Sequence, residues 1–186
     1  MKIAVKVGLL FALAWIILKL ILFATLSGEM RYNVQPAILT NILFLLLAIT
    51  IGLYLQKRNS TEETSALGDI KNAMSAGVPY TIIVSLFIFT YYSKIDPGYI
   101  KHQIAERSMA MEKELDDPAQ LKKINASNED FEVMTKEEIL EKGKDNLKAT
   151  FSAGATMTLS MLGMLVLSTI NSIFVTVVYR RIVFKR

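Results

Sequence analysis

The stretch Val7–Leu26, VGLLFALAWIILKLILFATL, decides the fold: twenty residues of which only Lys19 is charged. At about 1.5 Å of helical rise per residue, such a run covers the roughly 30 Å hydrocarbon layer of a bilayer. Three more stretches share its character: Ala37–Leu55, Ala73–Tyr92 and Phe151–Tyr179. Apolar residues make up 52% of the chain, and they gather in blocks such as Ile42–Leu47 and Ile82–Phe89 with no polar face to meet water. A helix apolar all round is buried in a large protein or sits in lipid, and 186 residues do not make a large protein. The reading is an all-α membrane protein with four transmembrane helices and a helical extramembrane insertion between the third and fourth.

The aromatic residues give an independent check. Tyr32, Tyr54, Tyr80, Tyr91, Tyr92, Tyr99 and Tyr179 are placed near span ends or in flanking turns. There the ring stays apolar and the hydroxyl stays wet. Trp15 lies in mid-span and is expected to pack against a neighbouring helix. The absence of cysteine excludes disulfides, thiol catalysis and Cys-ligated zinc or iron–sulfur sites.

A net charge of +4 could suggest nucleic acid, but its distribution speaks for a membrane. The segments before span one, between spans two and three, and after span four hold nine basic and three acidic residues (Glu62, Glu63 and Asp69). Residues 93–150 hold ten basic and thirteen acidic. By the positive-inside rule both termini are expected in the cytoplasm and the long loop outside. The basic tail Arg180, Arg181, Lys185 and Arg186 then anchors to anionic headgroups, and no nucleic-acid partner is expected. The first span lacks an Ala-x-Ala site and reads as a retained helix more than as a cleaved signal.

The insertion 93–150 is patterned for helix. Asp96-Pro97 offers an N-cap residue followed by proline at the first helical position. Ile100, Ile104, Met111 and Leu115 make an apolar stripe before Asp116-Asp117-Pro118 ends it. Asn125–Asp130 reads as a turn. Thr135 and Glu138 form a capping box, and Ile139, Leu140, Leu147 and Phe151 lead into the fourth span. The pattern leaves open whether one helix runs unbroken from about Lys136 to Tyr179, which would make it roughly 66 Å long.

The amphipathic entry Ile70-Lys-Asn-Ala73, Gly77, the pair Tyr91-Tyr92 and Ile95-Asp96-Pro97 carry a resemblance over nearly the whole length. The chain resembles a bacterial family of small four-span inner-membrane proteins known only as a domain of unknown function. The resemblance implies a bacterial inner-membrane location and supplies no activity or site residues.

Candidate chemistry is sparse. Lys19 is the one charge deep inside a span, and Asp96 at the outer end of span three is a candidate partner for it. Snorkelling toward the headgroups, about seven residues away, is the plainer account of Lys19. No acidic residue is placed inside a span. Ser168, Ser172 and Thr176 repeat every four residues on one face of span four, with Asn171 beside them. That face either lines a solute pathway or hydrogen-bonds to another helix. Ala4, Gly8 and Ala12 form a small-residue seam on span one. Met157, Met161 and Met164 share a face, but no Cys or His supports copper binding. His102, the single histidine, is expected on the surface, and no cofactor or metal is expected anywhere.

Two functional classes fit. In the first, the bundle anchors an external helical arm that holds an envelope protein or a second copy of itself, as an accessory, scaffold or sensory subunit. In the second, an oligomer forms a small transporter or channel using Lys19 and the polar face of span four. Catalysis is not expected, because the chain lacks a nucleophile elbow and a phosphate-cradling glycine loop.

Overall fold

Helix propensity and lipid-compatible composition carry the chain through every described element. The computed structural model describes residues 1–60, 65–118 and 134–183, which form helices and no strand. Four of those helices are long and apolar enough to cross a membrane.

Helix α1 runs Ile3–Thr25 and ends as Leu26 turns extended. Gly28 then takes φ +61°, a left-handed conformation open to glycine, and a single turn, α2 (Glu29–Tyr32), follows. Asn33 Oδ1 accepts from the Gln35 N–H at 3.0 Å, and α3 (Gln35–Arg58) starts with Pro36 in its first turn. Ser65 Oγ accepts from the Gly68 N–H at 3.1 Å and opens α4 (Ala66–Thr90), which widens into a π turn over Tyr91–Ile95. Helix α4 thus begins seven residues before the apolar block at Ala73, and this brings Asp69 into the helix. The sequence reading left Asp69 in the connecting turn.

Beyond α4 come α5 (Pro97–Asp116), α6 (Lys136–Thr150) and α7 (Ala153–Val178), the last followed by a second π turn, Tyr179–Val183. The stretch from Lys136 to Tyr179 is therefore two helices, which answers the question the sequence leaves open. Phe151 leaves helical geometry at ψ 17°, and Ser152 Oγ accepts from the Ala155 N–H at 3.1 Å. A serine that can cap, followed by Gly154 with its poor helix propensity, favours a restart at this point.

The chain divides into two units. The first comprises Met1–Phe87 and Met157–Arg186. Small side chains let its helices approach closely at several points of the interior. Ala4, Gly8 and Ala12 of α1 are all buried, as the seam predicts. A Cβ on Gly8 would lie 2.2 Å from the Ala76 carbonyl oxygen, and one on Gly52 2.7 Å from the Ala76 Cβ. Trp15 is buried edge-on against Phe87, with ring centroids 6.2 Å apart. Outward-facing Leu10, Leu39, Leu159, Val166 and Phe174 are exposed, as lipid contact requires.

The second unit, Ile88–Thr156, contains α5 and α6 packed against each other. Leu115 and Ile139 are its buried apolar side chains on the two helices. A Cβ on Gly143 would lie 2.3 Å from Met111 Sδ, so the glycine admits the methionine. Arg107 stacks over Phe151 at 4.6 Å, and Lys136 pairs with Asp116. The capping box is formed on both sides: Thr135 N–H donates to Glu138 Oε2 at 2.7 Å, and Glu138 N–H to Thr135 Oγ1 at 3.3 Å. The two apolar stripes read from the sequence are thus partly spent on each other. The expected turn at Asn125–Asp130 lies outside the described residues.

Candidate functional site

Every fourth residue of a helix falls on nearly the same face, so two runs of that spacing define two ridges. On α4 the ridge is Asp69, Ala73, Gly77, Thr81 and Ser85, all buried. On α7 it is Met164, Ser168, Ser172 and Thr176, also buried, and it continues to Arg180 in the following turn. Two contacts set the ridges antiparallel. Asp69 meets Arg180, and a Cβ on Gly77 would lie only 2.0 Å from Ser168 Oγ.

The hydroxyls along the two ridges are buried but not hydrogen-bonded. Thr81, Ser85, Ser168, Ser172 and Thr176 are fully buried and their hydroxyl oxygens have no hydrogen-bond partner. By contrast, the exposed Thr169 donates back to the Leu165 carbonyl at 3.0 Å, the usual habit of a helical threonine. The small volume of Ser168, Ser172 and Thr176 lets the helices approach.

At one end of the seam sits the residue that the sequence reading missed. Asp69 is 1% exposed, and its Oδ2 accepts from Lys57 Nζ and from Arg180 Nη1, each at 2.7 Å. Two cations on one carboxylate compensate the cost of burying it. Next to this cluster, Tyr179 donates to the Thr50 carbonyl at 3.1 Å and stands edge-on to Tyr54. The signal was present in Ser65 as an N-cap and in the four-residue spacing from Asp69 through Ser85, which lengthen the helix backward.

A second buried polar group lies within the bundle. Tyr80 is fully buried and donates to Asn41 Oδ1 at 2.6 Å, while Asn41 Nδ2 reaches Met164 Sδ at 3.2 Å. Tyr80 is therefore an internal partner and not an interfacial anchor, which corrects its placement near a span end. The methionine face gives its one polar contact to an amide. Among the described residues no group of three His, Asp or Glu side chains is arranged to hold a metal ion.

The second unit carries its own aromatic–acid cluster. Asp96 is 2% exposed and occupies the N-cap position of α5, yet its carboxylate makes no capping bond. Instead it accepts from Tyr91 Oη at 3.4 Å. Tyr91, Tyr92 and Tyr99 stack around it, with centroids 5.1 and 4.9 Å apart along the series. Burial pushes the Tyr99 phenol above its usual range. A proline at the first helical position fixes this corner.

Of the residues singled out from sequence, Ser168, Ser172 and Thr176 come together on one buried ridge, and Asn171 is half-buried beside them. Lys19 is half-buried on α1 within the first unit. Asp96 belongs to the second unit. His102 is half-buried, with Nδ1 3.9 Å from Glu106 one turn on.

A family described as a protein of unknown function, DUF4199, matches the chain over residues 6–181. No curated protein and no solved structure matches it.

Proposed function

The chain belongs to the DUF4199 family, and from that premise we propose that it is an accessory, scaffold or sensory subunit whose helical hairpin holds a protein partner. It is an integral membrane protein. The proposal adds that it resides in a bacterial inner membrane with both termini in the cytoplasm and the hairpin outside, a reading supported by the basic residues of the three segments that fall on the cytoplasmic side. The partner is an envelope protein or a second copy of the chain.

One observation carries the role. Residues Ile88–Thr156 form a unit with its own buried contacts, capping box and ion pairs, distinct from the bundle. An insertion that served only to connect two spans would need none of these. We read the protein as a non-enzyme, because its sequence holds neither a nucleophile elbow nor a phosphate-cradling glycine loop. The transport alternative draws on Lys19 and the polar face of α7. Closure of that face against Gly77 of α4 takes support from it.

Removing residues 100–145 while keeping the four spans tests this role. The truncated chain is expected to insert in the membrane and to lose a specific complex on native gels of solubilised membranes. An unchanged complex sinks the proposal.

A further inference from the structure

A groove of about 570 Å³ lies on the first unit between the start of α1 and the first half of α4. Its walls are Val5 of α1 and Ile70, Met74, Val78 and Pro79 of α4, with Lys71 among them. The volume falls in the range of ordinary ligand pockets. The Ser75 hydroxyl, also in the wall, is turned back onto the helix, where it donates to the Lys71 carbonyl at 2.8 Å. The interior is therefore apolar in chemistry as well as in composition.

The groove has a length and a polarity. Along α4 it runs from Leu67 to Pro79, and twelve steps of helical rise make about 18 Å. One leaflet of a roughly 30 Å hydrocarbon core is about that deep. The groove's charge lies toward the Leu67 end: Lys71 lines it, and Lys2 Nζ donates at 3.4 Å to Oδ1 of Asn72, the residue that follows Lys71. Asp69, two residues from Lys71, does not neutralise them, because its carboxylate is held by Lys57 and Arg180.

We propose that this groove binds one anionic glycerophospholipid, with an acyl chain along Met74, Val78 and Pro79 and the phosphate between Lys2 and Lys71. An acyl chain in lipid would gain little from a groove by itself. The two ammonium groups at headgroup level select a negative headgroup over a zwitterionic one, which brings its own cation. A partner helix would fill the trough and leave these charges unmatched.

The test is native mass spectrometry of the full chain, released from micelles holding dioleoylphosphatidylglycerol or dioleoylphosphatidylcholine. The wild type is expected to retain the phosphatidylglycerol preferentially. Lys2→Gln with Lys71→Gln is expected to weaken that retention about tenfold. Val78→Trp is expected to weaken it with both cations intact. Lys94→Gln with Lys101→Gln removes two exposed charges in the second unit, outside the groove, and is expected to leave retention unchanged, and helicity by circular dichroism checks each fold. Equal retention of the two lipids overturns the proposal. So does wild-type retention in both groove variants, or loss of a dimer in Val78→Trp without loss of lipid, which would assign the groove to a second copy.

Discussion

Asp69 and Arg180 stand 111 positions apart in the chain and meet at 2.7 Å, tying the start of α4 to the turn that ends α7. Lys57, at the end of α3, reaches the same carboxylate oxygen. One buried acid thus fastens three helix ends.

Removing one partner of a buried ion pair costs about 3–5 kcal/mol when the remaining charge is stranded. Here the cations are 22% and 42% exposed, so they can turn to water or headgroups. Asp69→Asn is therefore expected to cost only about 2 kcal/mol. Arg180→Gln is expected to cost less, since Lys57 still neutralises the carboxylate. Unfolding of the solubilised protein, with the double variant completing the cycle, measures both. A cost for Arg180→Gln exceeding that for Asp69→Asn would contradict the shared-carboxylate arrangement.

Two glycines separate a contact that can yield from one that cannot. Gly77→Ala would drive its methyl into Ser168 Oγ, whereas Gly8→Ala meets the Ala76 backbone. Overpacking of this kind costs about 1–3 kcal/mol. Adding Ser168→Ala is expected to restore much of the stability lost in Gly77→Ala. No side-chain change at Ala76 is expected to rescue Gly8→Ala. Equal behaviour of the two series in thermal unfolding would show that the seam is looser than described.

The orphan hydroxyls and the paired one should respond in opposite senses. Ser172→Ala removes a buried group with no hydrogen bond and is expected to be neutral or slightly stabilising. Tyr80→Phe removes a 2.6 Å bond to Asn41 and is expected to cost about 0.5–1.5 kcal/mol. A large loss of stability in Ser172→Ala would mean that the hydroxyl is bonded after all.

The hairpin carries a pH dependence at its cap. Hydrogen bonds from the Thr135 backbone and side chain hold the Glu138 carboxyl below its usual 4.5. A lowered folded pKa stabilises above the unfolded value and is lost as pH falls through the folded one. Amide exchange in the first turn of α6 is therefore expected to quicken as pH drops below 4.5, and Glu138→Gln is expected to abolish that dependence. Faster exchange toward alkaline pH, beyond the intrinsic base catalysis, would reverse the sign.

The spans, the Thr135–Glu138 capping box and the packing of Trp15 were legible in the sequence because each rests on local pattern or composition. Asp69 was not, because an acid beside Lys57 and Lys71 looks like part of a solvated turn until the partner from the far end of the chain is known. Tyr80 misled for a related reason. A tyrosine near a span end and a tyrosine bonded to Asn41 have the same local sequence, and only tertiary contact separates them. The apolar stripes of the hairpin were correctly found, but their partner proved to be in large part each other. Ser152 and Gly154 do announce the break between α6 and α7 once capping is weighed against the apolar run.

In the proposed role the hairpin faces outward and holds a partner. Met109 on α5 is 58% exposed, and the native chain has no cysteine to confuse labelling. A membrane-impermeant, cysteine-reactive photocrosslinker on Met109→Cys in intact cells tests orientation and association together. The account expects labelling without permeabilisation and a recurrent adduct to one envelope protein or to a second copy of the chain. Labelling only after permeabilisation, or adducts scattered among unrelated proteins, would contradict it.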